Sequence, residues 1–94
     1  MFAFFGGSSA EAGGGAAGSR LLPKYGLMCC SASPAVAEAV AAAGADWICI
    51  DAQHGAVDVN TLHHMLCATS SHKAKRIVRV GGPDDRYAMQ QALE

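Results

Sequence analysis

The sequence predicts an α/β fold in which three β–α units follow one another and share a parallel sheet. Two observations carry this prediction. From Leu21 onward, short apolar runs alternate with longer segments of helical periodicity, the pattern of repeated β–α units. The first run, Gly26 to Cys30, is also uniformly apolar rather than alternating, as expected of a strand covered on both faces.

The first strand is read at Gly26-Leu27-Met28-Cys29-Cys30 and ends at Ser31. Ser33-Pro34 then supplies an N-cap followed by proline in the first helical turn, where its missing N–H costs nothing. A helix follows over Pro34 to Ala43, with Val36, Val40, Ala37 and Ala43 as its small-residue buried stripe. Gly44 closes it, since a left-handed residue commonly ends a helix. Trp47-Ile48-Cys49-Ile50 is the second strand and runs into Asp51-Ala52-Gln53-His54-Gly55. A second helix begins near the cap-type residue Asp58, places Val59, Leu62, Met65 and Leu66 at helical spacing, and ends before Ser70. The third strand is Arg76-Ile77-Val78-Arg79-Val80, opening onto Gly81-Gly82-Pro83. A last helix is predicted from Pro83 and still runs at Glu94 without a C-cap signal. Three such units leave both sheet edges open and one sheet face bare, so closure is expected to take more chain or more subunits.

Residues 1–20 differ in composition. They hold all three Phe and six of the eleven Gly, with only Glu11 and Arg20 charged. A Gly/Ala/Ser-rich segment of this kind recovers little of the entropy of ordering its backbone and is read as a flexible leader. It lacks the arginines of a transit peptide and the long apolar centre of a secretory signal, so the expected location is cytoplasmic, with an organelle as the alternative. The domain proper is then 21–94. A net charge of −1 and a pI near 6.4 give no basic patch for nucleic acid or an anionic membrane. No apolar stretch approaches the ~20 residues that span a bilayer. Cys29, Cys30, Cys49 and Cys67 fit neither a zinc pair nor a disulfide framework and are read as free, buried thiols in a reducing compartment.

In parallel β/α proteins, ligands bind at the carboxyl ends of the strands. That rule selects Ser31, the loop Asp51 to Gly55, and Arg79 to Gly82. Asp51 is close enough to His54 to orient its imidazole as a general base. Alternatively, Asp51 caps the amides of its own loop and His54 is solvated. Arg79, between Val78 and Val80, suits a bidentate carboxylate clamp or a structural ion pair with Asp51 or Asp84. Gly81-Gly82 admits a ligand close to the backbone or simply turns the chain before Pro83. His63 and His64 are adjacent on a helix and cannot form an i, i+4 metal pair. With His72 they are read as surface or packing residues. Asp84-Asp85 complements the dipole of the last helix.

The segments SPAVAEAVAAAGADWICIDAQHG, VDVNTLHHMLCA and RIVRVGGPDDRYAMQQALE together resemble the HpcH/HpaI aldolase family, from about Gly26 to Glu94. The resemblance implies a partial (β/α)8 TIM barrel comprising its first three β–α units. It also implies a metal-dependent lyase that cleaves 4-hydroxy-2-oxo acids to pyruvate and an aldehyde. His54 would act as general base with Asp51. Arg79 would bind the pyruvate carboxylate or stabilise its enolate, with Gly81 beside the substrate. The implied cofactor is a divalent metal, Mg²⁺ or Mn²⁺, with Co²⁺ or Zn²⁺ as alternatives. Two departures stand out. Gln53 occupies a second-shell position where the family commonly has Glu, and the family's metal-ligating Glu and Asp come from later strands that this sequence does not contain. The 94-residue chain is therefore expected to be inactive alone. Its expected partners are a small 2-oxo-acid substrate and either copies of itself or a missing C-terminal part. A competing reading is a non-catalytic association module that uses exposed sheet edges.

Overall fold

The computed structural model describes the backbone of residues 2–5 and the whole of residues 23–93. The elements are β1 (Phe2–Phe5), β2 (Gly26–Cys29), α1 (Pro34–Ala42), β3 (Trp47–Asp51), α2 (Val59–Thr69), β4 (Lys75–Arg79) and α3 (Arg86–Leu93). They form one four-stranded sheet in the order β1-β4-β3-β2. The three predicted strands are parallel, with Gly26 to Cys29 beside Trp47 to Ile50, and Trp47 to Asp51 beside Lys75 to Arg79.

The central strand is apolar throughout because it is covered on both faces: Ile48, Cys49, Ile50 and Asp51 are all buried. Alternation along a strand sends successive side chains to opposite faces. Ile48 and Ile50 join Cys29, Val78 and Val80 in the core, together with Ala37 and Ala41 of α1 and Leu62 and Met65 of α2. Burying an isoleucine fully is worth about 1.5–3 kcal/mol, so Ile48 and Ile50 anchor the sheet. The opposite face carries Cys49 and Asp51 from β3, in register with Ile77 and Arg79 of β4.

Both predicted caps form. Ser33 Oγ accepts the Val36 amide at 3.3 Å, and Asp58 Oδ1 accepts the Thr61 amide at 2.7 Å. That bond holds the exposed Asp58 carboxyl below its ordinary range. Gly44, at φ 101°, takes the left-handed conformation predicted for it. Within α1 the buried stripe is Ala37 and Ala41 flanked by Val40, rather than the predicted set, and Val36 and Ala43 face solvent. Two alanines four residues apart let the helix lie close to its neighbours, which turns the bulkier Val36 outward.

Other expectations are corrected. Phe2–Phe5 pairs antiparallel with β4, from Phe2 opposite Arg79 to Phe5 opposite Arg76, so the leader is not uniformly without structure. The remainder of the 1–20 leader lies outside the described residues. Phe-Ala-Phe-Phe is a short strand-forming run, and β1 covers the β4 edge that was expected to be open. β2 is not covered on both faces: as the outer strand it leaves Leu27 and Met28 substantially exposed. The last helix starts at Arg86 rather than Pro83. Asp85 is its cap, accepting the Ala88 amide at 3.1 Å, while the Asp85 amide closes a turn onto the Gly82 carbonyl at 3.2 Å. The four cysteines are free, but only Cys29 and Cys49 are buried, whereas Cys30 and Cys67 are exposed. Burial raises the Cys49 thiol above its ordinary pKa.

Gly26 sits beside Trp47, and the indole ring occupies the space that a Cβ on Gly26 would need. His63 Nε2 lies 3.0 Å from the Gln91 carbonyl and ties α2 to α3, a packing role as predicted. No helix among the described residues is long and apolar enough to cross a membrane.

Candidate functional site

Asp51 is the last residue of β3 and Arg79 the last of β4, and the register sets them side by side at the carboxyl ends of two parallel strands. Arg79 Nε donates to Asp51 Oδ1 at 2.9 Å and Nη2 donates to Oδ2 at 2.6 Å, a bidentate pair. Asp51 is almost wholly buried, while the Arg79 side chain keeps a quarter of its surface. Of the alternatives open for Arg79, the structure realises the ion pair with Asp51. Its Nη1 has no protein partner among the described residues, so one edge of the guanidinium stays available for an anion.

Asp51 does further work within its own loop. Oδ1 also accepts the backbone amides of Gln53 at 3.1 Å and His54 at 3.0 Å, and the Cys30 thiol lies 3.7 Å from Oδ2. The Arg79 hydrogen bonds, reinforced by the two amides and opposed by burial, hold the Asp51 carboxyl far below the usual carboxylate range. The same pairing raises Arg79. Asp51 is therefore a permanently ionised strut at neutral pH.

The expected Asp51–imidazole contact is not formed. Asp51 receives the main-chain N–H of His54, and the exposed ring has no partner among the described residues. With His54 only three residues on, the loop turns its amide toward the carboxylate and its side chain outward. Gly55 permits that turn: a Cβ there would run into the Asp51 carbonyl and lie 3.1 Å from the Cys30 carbonyl. Gln53 reaches across to the next loop, its Nε2 donating to the Gly81 carbonyl at 3.3 Å. The strand ends thus bring together Asp51, Gln53, His54, Arg79 and Gly81. Cys30, which the sequence reading set aside, joins them because β2 ends beside Asp51. Its only signal was its position at the carboxyl end of the first predicted strand.

Among the described residues, no three His, Cys, Asp or Glu side chains lie close enough to hold a metal ion. Both Asp51 oxygens are already engaged. The residues present do not fit a divalent metal by themselves.

A buried carboxylate–guanidinium pair at the carboxyl ends of consecutive parallel β–α units lies where β/α enzymes, barrels among them, place their sites. Residues 24–94 match the model of the HpcH/HpaI aldolase/citrate lyase family, and the chain belongs to that family. It is 38% identical over 64 residues to a 2-dehydro-3,6-dideoxy-6-sulfogluconate aldolase of Pseudomonas putida, covering 68% of this chain and 25% of the relative. It is 38% identical over 57 residues to a 5-keto-4-deoxy-D-glucarate aldolase of Klebsiella pneumoniae, covering 61% of this chain and 22% of the relative. Among solved structures, an HpcH/HpaI family protein of Burkholderia cenocepacia superposes with a TM-score of 0.68 at 34% identity, over 76% of this chain and 28% of that one. The citrate synthase SbnG superposes with a TM-score of 0.58 at 34% identity, over 67% and 26% of the two chains. The chain therefore spans about a quarter of the length of the curated relatives it matches.

Proposed function

We propose that this chain supplies the first part of the active site of an oxo-acid aldolase, one that cleaves a 4-hydroxy-2-oxo acid to pyruvate and an aldehyde. The observation that carries the reading is the Asp51–Arg79 pair, which fixes a guanidinium at the strand ends and leaves Nη1 without a partner among the described residues. In this reading Nη1 of Arg79 binds the substrate carboxylate, the group common to substrate and pyruvate product. His54 takes the proton of the 4-hydroxyl, the C3–C4 bond breaks, and its electron pair passes into the enolate of pyruvate. Positive charge on Arg79 stabilises that enolate as it forms. Asp51 is not the base, because it is held ionised and hydrogen bonded on both oxygens. It positions Arg79 and the backbone of His54. The aldolase names of the two curated relatives support the reaction class.

The Mg²⁺ or Mn²⁺ that the family resemblance implies would need ligands from outside the described residues, and the same holds for Co²⁺ or Zn²⁺. The 94-residue chain, given Mg²⁺ or Mn²⁺ and a 4-hydroxy-2-oxo acid, is expected to release no pyruvate above background in a lactate-dehydrogenase-coupled assay. Residues 24–94 grafted in place of the matching quarter of a full-length aldolase relative are expected to restore turnover. His54→Ala in that chimera should reduce kcat by about 10²–10⁴-fold, the usual range for a general base. A chimera that folds but is inactive, or one indifferent to His54→Ala, would defeat the reading.

A second reading, association with a copy of itself or a longer relative, is favoured by the outer strand β2. Tyr25 just before the strand and Leu27 and Met28 within it are exposed apolar side chains, and its outer edge pairs with no other strand among the described residues. Sedimentation velocity of the 94-residue chain should then show concentration-dependent association that Leu27→Lys reduces. A strictly monomeric chain at all concentrations would exclude self-association.

A further inference from the structure

The hydrogen bonds at the strand ends close into a ring. Arg79 holds Asp51, Asp51 accepts the amide of Gln53, Gln53 donates through its side chain to the Gly81 carbonyl, and Gly81 returns to Arg79 through two residues of backbone. Only one link in the ring joins the loop after β3 to the loop after β4 by a side chain, and that is the amide of Gln53. We propose that Gln53 is a positioning residue of this site, latching the Gly81-Gly82 loop beside Arg79 while adding no charge there.

In this chain the link is made by an amide, where the family commonly has a glutamate. The Gly81 carbonyl only accepts, so its partner must donate. A glutamate at position 53 would be an acceptor when ionised and would set two oxygens against each other at about the present 3.3 Å. It would also add a negative charge beside the Asp51–Arg79 pair, whose charges now cancel. The guanidinium would then be drawn from Asp51 or from any incoming anion. A neutral donor leaves Nη1 of Arg79 at full strength for an anionic ligand and keeps the following loop in register with it. Gln53 is exposed and lies outside the core, so its loss should leave the fold intact. The latching role stands on geometry alone, and only its consequence for an oxo-acid rests on the aldolase reading.

Amide hydrogen exchange separates these two levels. The Asp85 amide, bonded to the Gly82 carbonyl, reports on the latched loop, while the Ala52 amide, bonded to the Arg79 carbonyl, reports on the strand ends. Gln53→Ala in the 94-residue chain should speed exchange at Asp85, corrected for the intrinsic rate, by about three- to tenfold at every pH, the range expected for losing one hydrogen bond, with Ala52 unchanged. Gln53→Glu should do the same at neutral pH. Its effect should reverse below about pH 4, where a protonated carboxyl again donates to Gly81. That reversal distinguishes a latch from a mere packing defect. Unchanged Asp85 exchange in both variants, or acceleration in Gln53→Glu that ignores pH, would overturn the latch. In the aldolase chimera, Gln53→Ala should raise KM for the oxo-acid several-fold with less effect on kcat. An unchanged KM with a confirmed latch would count against the aldolase reading alone.

Discussion

Asp51→Asn is expected to destabilise the protein by about 2–3 kcal/mol, a large share of what a domain of this size commands. Asparagine keeps the shape but turns one carboxylate oxygen into an N–H₂ group, which faces the Arg79 donors in place of an acceptor. The guanidinium then loses its counter-charge at a place where only a quarter of its side chain meets solvent. That residual exposure puts the cost below the range for a fully buried pair. Urea unfolding followed by circular dichroism measures it. The pH dependence gives an independent check. The folded-state pKa of Asp51 is lowered, so its contribution is complete above the unfolded-state value of 3.8 and is lost as pH falls below it. The wild-type chain should therefore lose stability on acidification through that window, and Asp51→Asn should flatten this limb. An Asn variant as stable as wild type, with the same acid limb, would mean that the pair contributes little.

Gly55→Ala has the second-largest expected effect, and its sign is diagnostic. In a permissive loop, replacing glycine by alanine stabilises by about 0.4–1 kcal/mol because the unfolded chain loses freedom. Here the added methyl meets the Asp51 carbonyl and approaches the Cys30 carbonyl, both main-chain groups that cannot rotate away. The loop must shift, stretching the bond from the His54 amide to Asp51. The variant should lose about 2–3 kcal/mol, as overpacked sites do, and exchange at the His54 amide should speed up in parallel. A stabilised Gly55→Ala protein would show that the turn has room the structure does not display.

Much of the fold was legible because its local signals agree with one another. Ser33 and Asp58 cap where their short polar side chains are expected to, Gly44 takes a positive φ, and Ile48 to Ile50 of the second predicted strand are buried on both faces. The antiparallel strand Phe2–Phe5 was missed because its partner lies more than seventy residues away and it is followed in sequence by glycine and serine. The start of α3 was misjudged because Pro83 and Asp85 are both credible first-turn residues, and only the observed Asp85 bond to the Ala88 amide decides between them. At the site, sequence placed Asp51, Gln53, His54, Arg79 and Gly81 at or just past the carboxyl ends of the two strands that carry them. It could not tell whether Asp51 would take the amide or the ring of His54, since both lie within reach at that spacing. Nor could it choose for Arg79 between a carboxylate clamp and an ion pair with Asp51 or Asp84, since that depends on strand register, a property of two segments at once.

The close approach of Trp47 to Gly26 has a practical consequence. Trp47 is the only tryptophan in the chain, and its ring rests where β2 meets β3. Peeling β2 away would wet one side of the indole and shift its fluorescence to the red, while circular dichroism continued to register the intact helices. The protein therefore carries its own optical gauge for the fit of its outermost strand. Comparing the two signals through one denaturant titration would tell whether that strand leaves with the rest or ahead of it.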